Sequence, residues 1–235
     1  MTSLSLLCLF VVAAAEGGAM KVESFSHIHL TGDMFWNNSA VYSGGAMNVQ
    51  NSVVILSTCD FSASLAENGG AIYATSGADL LLSRCSLRYN RATYNGGSVF
   101  VQSGNDMAVF DSDISMNWAS TGAGLYITDT EAEVRNTSFN DNRAIERGGA
   151  MCLSSKANVS VAMCSFLNNW AFQGGGASID ASLLMATSST FQGTYVYMSP
   201  YATIADTLLS ISEYFSFLIL VAHVGTFSCR QSGKE

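Results

Sequence analysis

Short apolar segments recur along the chain at a nearly constant interval, and glycine, serine, asparagine or aspartate residues separate them. One kind of segment follows a glycine-rich turn and begins at residues 17, 44, 69, 96, 122, 148 and 175, as GGAMKV, GGAMNV, GGAIYA, GGSVFV, GAGLYI, GGAMCL and GGASID. Successive starts lie 25 to 27 residues apart. A fixed period of this length is typical of a solenoid, in which each repeat stacks on the one before it.

A second motif keeps step with the first through seven units. It begins at residues 35, 61, 87, 114, 139, 166 and 191, as FWNNSA, FSASLA, LRYNRA, ISMNWA, FNDNRA, FLNNWA and FQGTYV. A third short apolar segment lies between the two motifs, for example VVIL at residue 53. Each unit thus holds three segments of strand length and none long enough for an amphipathic helix. The sequence therefore predicts an all-β fold, a single-stranded parallel β-helix of about seven coils with roughly 26 residues each.

The repeat predicts structural roles for its glycine and asparagine residues. The glycines permit a positive φ and a tight corner, and the two apolar positions after them point inward. The asparagine in the second motif stacks on its equivalents as a ladder that satisfies backbone groups at a corner and tolerates left-handed turns. The residues with these predicted roles are Gly44, Gly45, Gly69, Gly70, Gly96, Gly97, Gly148 and Gly149, and Asn38, Asn90, Asn117, Asn142 and Asn169.

Three cysteines share one column of the repeat, two residues before the core residue of the second motif: Cys59, Cys85 and Cys164. Alternation along a strand places this column inside the coil. Cys59 and Cys85 lie on successive coils, so we expect buried free thiols in preference to a disulfide, which the spacing also permits. Cys152 is predicted to face outward, because its neighbours in the strand face the core.

The composition narrows the range of functions. Charged residues make up 12% of the chain, the net charge is −8, and the ten basic residues form no cluster in the sequence. Nucleic-acid binding through phosphate neutralisation is therefore not expected, and an anionic polysaccharide is disfavoured for the same reason. No cysteine or histidine spacing indicates a metal site, and no motif indicates a cofactor.

The coupled GGA[ILVM] and FxxN motifs resemble the repeats of the chlamydial polymorphic outer-membrane proteins and, more widely, of right-handed parallel β-helix repeat proteins. The resemblance spans roughly residues 17 to 198. It implies a right-handed coil. In the bacterial family the β-helix is the passenger of an autotransporter and acts in adhesion, so the resemblance also implies a surface-displayed binding module.

The repeat fades at both ends of the chain. Residues 1–15 are predicted to be a signal peptide or a degenerate half-coil, residues 16–198 the β-helix domain, and residues 199–235 a degenerate coil, a cap or an irregular apolar tail. The apolar segment 214–225 is too short for a membrane span, although it leaves a weak membrane association open. In a secreted eukaryotic protein the sequons predict glycosylation at Asn37, Asn136 and Asn158.

Three carboxylates are the candidates for catalysis: Asp60, Asp111 and Asp113. Alternation places all of them outside the coil, and Asp60 and Asp113 share a column two coils, about 9.6 Å, apart. That distance is near the carboxylate separation of inverting glycosidases. Arg84 falls one coil away in the column of Asp111, so a surface ion pair between them is the simpler interpretation.

The function predicted from these observations is a non-catalytic scaffold, secreted or displayed at the cell surface, and associated with the outer membrane if bacterial. Its lateral faces, with exposed aromatic residues such as Tyr94 and Trp118, are expected to bind a glycan or a cell-surface protein. Two alternatives stay open: a carbohydrate-active β-helix enzyme, and a fragment of a larger repeat protein.

Overall fold

Each coil of the chain contributes one strand to each of four parallel sheets. The computed structural model describes residues 7–8, 14–103, 106–194, 196–198, 203–205 and 209–210. Their strands, β1 to β31, pair in parallel with the strand four places along the chain through most of the molecule. The predicted fold class is confirmed: the protein is an all-β, right-handed parallel β-helix of about seven coils.

Sheets A and B form two successive walls of the coil. Sheet A contains β1 (Leu7–Cys8), β5 (Met34–Trp36), β9 (Asp60–Ser62), β13 (Ser86–Arg88), β17 (Asp113–Ser115), β21 (Ser138–Asn140), β25 (Ser165–Leu167), β28 (Ser189–Gln192) and β31 (Leu209–Ser210). Sheet B contains β2 (Ala14–Glu16), β6 (Ala40–Ser43), β10 (Leu65–Asn68), β14 (Arg91–Asn95), β18 (Trp118–Thr121) and β22 (Arg143–Arg147).

Sheets C and D complete the coil. Sheet C contains β3 (Met20–Val22), β7 (Met47–Gln50), β11 (Ile72–Thr75), β15 (Val99–Gln102), β19 (Leu125–Thr128), β23 (Met151–Ser154), β26 (Ala177–Ile179) and β29 (Val196–Met198). Sheet D contains β4 (His27–Thr31), β8 (Val53–Ser57), β12 (Asp79–Ser83), β16 (Asp106–Phe110), β20 (Glu131–Arg135), β24 (Asn158–Ala162), β27 (Leu183–Thr187) and β30 (Thr203–Ala205).

The sequence predicted three strands in each coil, but the structure has four sheets. The strands of sheet B are the ones that the sequence did not predict. From β6 to β22 its strands come after the position of the ladder asparagine, and each contains one buried alanine. In β14, β18 and β22 these are Ala92, Ala119 and Ala144, which form a small cluster of their own with Ala123 and with Ala171 of the next coil. One small buried residue per strand gives no alternating apolar pattern, so the strand is invisible to periodicity.

The main core fills the coil with aligned stacks of like side chains. Phe35 lies on Phe61 with ring centroids 4.4 Å apart, and Phe166 lies on Phe139 and Phe191 at 4.8 and 4.2 Å. All three pairs are nearly parallel, because successive coils repeat the same backbone geometry. Met151 and Leu153 are fully buried, and the prediction for these two residues is confirmed.

The two glycines of the first motif have different tasks, whereas the sequence suggested a positive φ for both. The first one has it, as at Gly96 (φ 66°) and Gly148 (φ 61°). The second does not, but it leaves no room for a side chain: a Cβ at Gly97 would lie 2.5 Å from the carbonyl oxygens of Trp118 and Ala123. The first glycine thus permits the corner, and the second permits contact between coils.

The seventh unit begins one residue earlier than the sequence indicated. Gly174, not Gly175, has the positive φ of the first glycine, at 67°. Ala177 pairs with Met151, and Ile179 pairs with Leu153. A shift of one residue exchanges the inner and outer faces of a strand, and this register places Ala177 and Ile179 in the core, where the predicted start would have placed Ser178.

The asparagine ladder is present, and it ties neighbouring coils together. Asn117 Oδ1 accepts from the backbone N–H and the Nδ2 of Asn90 (2.9 and 3.2 Å), while Asn117 Nδ2 donates to the carbonyl of Leu87 (2.9 Å). Asn142 and Asn169 continue the pattern. The left-handed conformation belongs to the residue before each asparagine, such as Tyr89 (φ 57°), and not to the ladder residue itself. The ladder asparagine therefore hydrogen-bonds backbone groups at the turn, while the residue before it adopts the left-handed conformation.

The ladder is interrupted near its first member. Serine occupies the position between Asn38 and Asn90, at Ser64. Asn38 is 1% exposed, yet within the described residues neither its Nδ2 nor its Oδ1 has a hydrogen-bond partner. Asn38 therefore occupies the ladder position without the ladder's hydrogen bonds.

The cysteine column is buried and contains free thiols, as predicted. Cys59, Cys85 and Cys164 are 1 to 2% exposed. Cys152 differs from its prediction: it lies on the outer face of sheet C but is only 4% exposed. The end of sheet B approaches this outer face, as shown by Asn48 Nδ2, which donates to Ser43 Oγ at 2.8 Å. A residue that points away from the core is thus buried at the corner between two sheets.

The predictions for the two ends of the chain fall largely outside the described residues. Strand β1 pairs with β5, and β2 pairs with β6, in the same parallel manner as the later coils. The signal peptide and half-coil interpretations of residues 1–15 both stay predictions. The apolar segment 214–225 lies outside the described residues, as does most of the tail that contains it.

Candidate functional site

Arginine and tryptophan alternate along one column on the outer face of sheet B. Arg91, Trp118, Arg143 and Trp170 occupy the position directly after the ladder asparagine in four successive coils. Backbone pairing aligns Arg91 with Trp118, Trp118 with Arg143, and Arg143 with Trp170. We call these four residues the arginine–tryptophan column.

The motif around each column residue fixes its position. The backbone N–H of Trp118 donates to the carbonyl of Asn90, and that of Trp170 donates to Asn142, both at 2.9 Å. The asparagine before each column residue and the alanine after it are buried, so alternation turns the column side chain to the outside. The second glycine of the first motif, which has no side chain, packs against the carbonyl of the column residue, as Gly97 does at Trp118. The asparagine, alanine and glycine positions that recur in each coil therefore support the column.

The column combines aromatic surface with fixed positive charge. Arg91 Cζ lies 4.2 Å from the centroid of the Trp118 ring, a cation–π contact that holds both side chains in place. Trp118 is half-buried, while Trp170 is 56% exposed. Guanidinium and indole groups are hydrogen-bond donors without acceptors. The column therefore presents a row of donors along the axis of the rod, with spacing set by the coil repeat of about 4.8 Å.

Exposed apolar side chains on sheet B and on the segment after β22 widen this surface. They are Val41, Tyr42, Leu65, Tyr94, Ile145 and Phe172, with exposures between 45 and 76%. Both Tyr94 and Trp118 were predicted to be exposed. Tyr94 is exposed, whereas Trp118 is half-buried. A contiguous exposed apolar patch on a soluble protein often marks an interaction site. Such side chains are exposed on β6, β10, β14 and β22 of sheet B and on the segment after β22.

The candidate catalytic carboxylates lie on the outside of the coil, at sheet A and the corner before it. Both carboxylate oxygens of Asp113 accept hydrogen bonds. Oδ2 accepts from Arg88 Nε (2.6 Å) and Ser115 Oγ (3.0 Å), and Oδ1 accepts from Ser138 Oγ (2.9 Å). Asp111 Oδ1 accepts from Asn136 Nδ2 at 2.7 Å. The two aspartates that the sequence placed together thus belong to separate hydrogen-bonded groups.

The remaining predictions about this region have different outcomes. Asp60 does share a column with Asp113, with Ser86 between them, and its Oδ1 is buried without a hydrogen-bond partner in the described structure. The expected ion pair between Arg84 and Asp111 is absent among the described residues. Arg88 instead pairs with Asp113, because Arg88 lies on the same strand face one coil away, whereas Arg84 lies in the turn.

A shallow open groove of about 690 Å³ runs along the outer face of sheet D. Its floor includes Ile55, Leu81 and Ala108, and one edge carries Asp79, Asp106 and Glu131 on successive coils. This groove and the arginine–tryptophan column lie on different walls, separated along the coil by sheet C on one side and sheet A on the other.

Comparison with known proteins agrees with the observed geometry. One protein family, described as a right-handed beta helix region, matches residues 20–200. The chain belongs to the right-handed beta helix family. No curated protein matches it, and no solved structure does. The family match and the four parallel sheets describe the same portion of this β-helix protein.

Sequence reasoning missed the arginine–tryptophan column of this β-helix protein, although a signal was present. Basic residues form no run in the sequence, but the four middle repeats of the second motif read NRA, NWA, NRA and NWA. Only superposition of successive coils shows that the alternating position is one line on the surface. A count of basic residues along the chain cannot detect such a column, since its members are 25 to 27 residues apart.

The buried thiols differ in their acidity. Hydrogen bonding from the Cys85 thiol lowers the pKa of Cys59, and the same contact together with burial raises the pKa of Cys85. Burial raises the pKa of Cys152 to about 12 and raises that of Cys164. The thiols of Cys59 and Cys85 also donate weakly to the carbonyls of Ser57 and Leu56. These contacts describe packed core residues of the β-helix.

The described part of the β-helix has neither a cluster of metal-ligating side chains nor a membrane-spanning helix. Within the described ranges, no group of three or more His, Cys, Asp or Glu side chains is placed to hold a metal ion. The same part of the chain contains no helix with the length and apolar character needed to cross a membrane. Of the sequon residues, Asn37 and Asn136 are exposed, while Asn158 lies within β24 with its Oδ1 buried.

Proposed function

We propose that this β-helix protein is a non-catalytic scaffold, secreted or displayed at the cell surface, that binds a glycan or a protein through the outer face of sheet B. The observation that carries this proposal is the arginine–tryptophan column. Tryptophan, tyrosine and arginine are the residues most enriched among those that dominate binding energy at protein interfaces. Here they lie on one rigid wall together with exposed apolar side chains.

The rigidity of the wall favours binding without rearrangement. Each column residue is fixed by a backbone hydrogen bond to the preceding coil and by a buried asparagine and alanine on either side. A surface that is already ordered loses little conformational entropy when a ligand binds. Its long axis suits a ligand that is itself extended, such as a linear glycan or an extended segment of a protein.

The resemblance of the repeat to chlamydial polymorphic outer-membrane proteins supports an adhesin-like role at the cell surface. In that family the β-helix is the exposed part of the molecule. An adhesin needs a binding face and no catalytic group, and the outer face of sheet B meets the first requirement.

The experiment compares loss of the column tryptophans with loss of a tryptophan on another wall. The double variant Trp118→Ala/Trp170→Ala removes the aromatic part of the column, while Trp36→Ala removes an exposed tryptophan of sheet A. Binding of fluorescent protein to a printed glycan array and to intact cultured cells is measured for each. We expect the double variant to bind about thirtyfold more weakly, as for the loss of a dominant interface residue, and Trp36→Ala to bind normally.

Unchanged binding by the double variant would refute the proposal for this face. Arg91→Lys separates charge from stacking, since lysine keeps the charge but lacks the planar guanidinium that lies on Trp118. We expect an intermediate loss for this variant. Circular dichroism confirms that each variant is folded before binding is compared.

The carbohydrate-active alternative rests on Asp111 and Asp113, with Asp60 in the same column as Asp113. Its test is the double variant Asp111→Ala/Asp113→Ala, measured for release of reducing ends or unsaturated products from plant and bacterial polysaccharides. A folded double variant that has lost an activity present in the native protein would replace the scaffold by an enzyme.

A further inference from the structure

The groove on sheet D has a chemical character opposite to that of the arginine–tryptophan column. Ile55, Leu81 and Ala108 form one column of its floor, and all three are half-buried although they face outward. Phe110 continues the apolar surface at the side of the sheet next to sheet A. Apolar side chains on the outer face of a solvated sheet do not pack into the core of the molecule, so their exposed surface can contact a ligand.

The edge of the groove next to sheet C carries negative charge. Asp79, Asp106 and Glu131 are exposed and occupy the first position of β12, β16 and β20. Asp106 pairs directly with Glu131 across the sheet. Carboxylates on neighbouring strands lie about 4.8 Å apart and repel each other. A positively charged ligand laid along this edge would relieve that repulsion.

The other charged groups near the groove leave this edge negative. Glu133, which also lines the groove, is paired with Arg135, which lies on the same outer face at the end of β20 next to sheet A. Lys156 lies in the turn before β24, beyond the last carboxylate of the column. The two histidines of β4, His27 and His29, belong to the first coil and do not line the groove.

We propose that the sheet D groove binds an extended, cationic and amphipathic segment of a partner protein. The apolar floor would accept alternate apolar side chains. The lysine or arginine side chains between them begin on the other face of the segment, and their long flexible stems would let the charged ends bend to the carboxylate edge. An extended segment fits because the groove crosses successive coils along the rod and is open to solvent. This proposal does not depend on the function of sheet B, since the two surfaces share no residue.

The probe is a synthetic peptide of alternating lysine and leucine, and its control alternates glutamate and leucine. We expect the intact protein to bind the lysine peptide and not the glutamate peptide, as measured by fluorescence anisotropy. Asp79→Asn/Asp106→Asn/Glu131→Gln should weaken this binding about tenfold, since three exposed ion pairs are lost. Added salt should weaken binding to the native protein more than to this variant.

A matched variant changes the same number of charges elsewhere on the coil: Glu67→Gln/Asp141→Asn/Glu146→Gln. It should bind the lysine peptide as the native protein does, and an equal loss would reduce the effect to net charge and overturn the proposal. Ile55→Thr/Leu81→Thr removes apolar floor and places threonine, a residue favoured in strands, at both positions, and it should also weaken binding about tenfold. If this variant binds normally, the groove is not the site. If instead the native protein self-associates and this variant does not, a second copy is the occupant and the proposal is wrong.

Discussion

Removal of a ladder asparagine should destabilise the protein by an amount that the hydrogen bonds predict. Asn117→Ala leaves the buried N–H of Asn90 without its acceptor and the carbonyl of Leu87 without its side-chain donor. An unsatisfied buried polar group costs about 1–3 kcal/mol, so the loss should be about 3–5 kcal/mol once the small cavity is included. That is a large fraction of the stability of an ordinary domain.

Asn38→Ala is the control for this prediction, because Asn38 occupies the same column and is equally buried, at 1% exposure. Its amide makes no hydrogen bond in the described structure, so its removal should cost less than about 1 kcal/mol. Urea unfolding followed by circular dichroism gives the free energy of unfolding for both variants. Equal losses for Asn117→Ala and Asn38→Ala would refute the reasoning, since the cost would then come from volume and not from the ladder.

Three further predictions follow from the coil geometry. Ser64→Asn should extend the ladder to Asn38 and stabilise the protein by about 1 kcal/mol in the same urea assay, and a loss of stability would show that the site is too small for asparagine. Gly97→Ala should destabilise the protein by about 3 kcal/mol, because the new Cβ meets two carbonyl oxygens. Gly32→Ala should cost about 1 kcal/mol, because Gly32 has φ 74° but open space around it. Thermal unfolding that ranks the two variants in the opposite order contradicts the steric argument. Burial raises the pKa of Cys152 to about 12, so the unfolded thiol ionises first and stability should fall as the pH rises above about 8.5. Cys152→Ala should remove about 1.4 kcal/mol of that loss per pH unit between about pH 9 and pH 11, and an unchanged slope would exclude Cys152 as its source.

The sequence determined the solenoid because its constraints repeat. A coil must bring equivalent residues into one column, so each column selects for one kind of residue: glycine at a corner, phenylalanine in the core, asparagine at a turn. Two motifs in register therefore predicted the parallel sheets, the inward positions of Met151 and Leu153, and the buried column of Cys59 and Cys85.

Features that depend on contact between walls of the coil could not be read from the motifs. From β6 to β22 each strand of sheet B contains one buried alanine, and a single small residue has no period. Cys152 points outward by alternation, yet the corner between sheets B and C covers it. Likewise the left-handed residue of the turn stands before the asparagine, because the amide must reach the neighbouring coil from inside the wall.

The candidate binding surface lies between these two cases. The alternation of arginine and tryptophan was written in the second motif, as NRA and NWA, and each residue's outward direction follows from the buried asparagine and alanine beside it. The linear sequence does not show which residues are close in space, since residues 25 to 27 positions apart become neighbours only when coils stack. The sequence by itself thus determined the coil and the kind of residue in each column. The tertiary structure decided which columns meet at a corner, which lie on an open wall, and therefore where arginine contacts tryptophan and where carboxylates line an apolar groove.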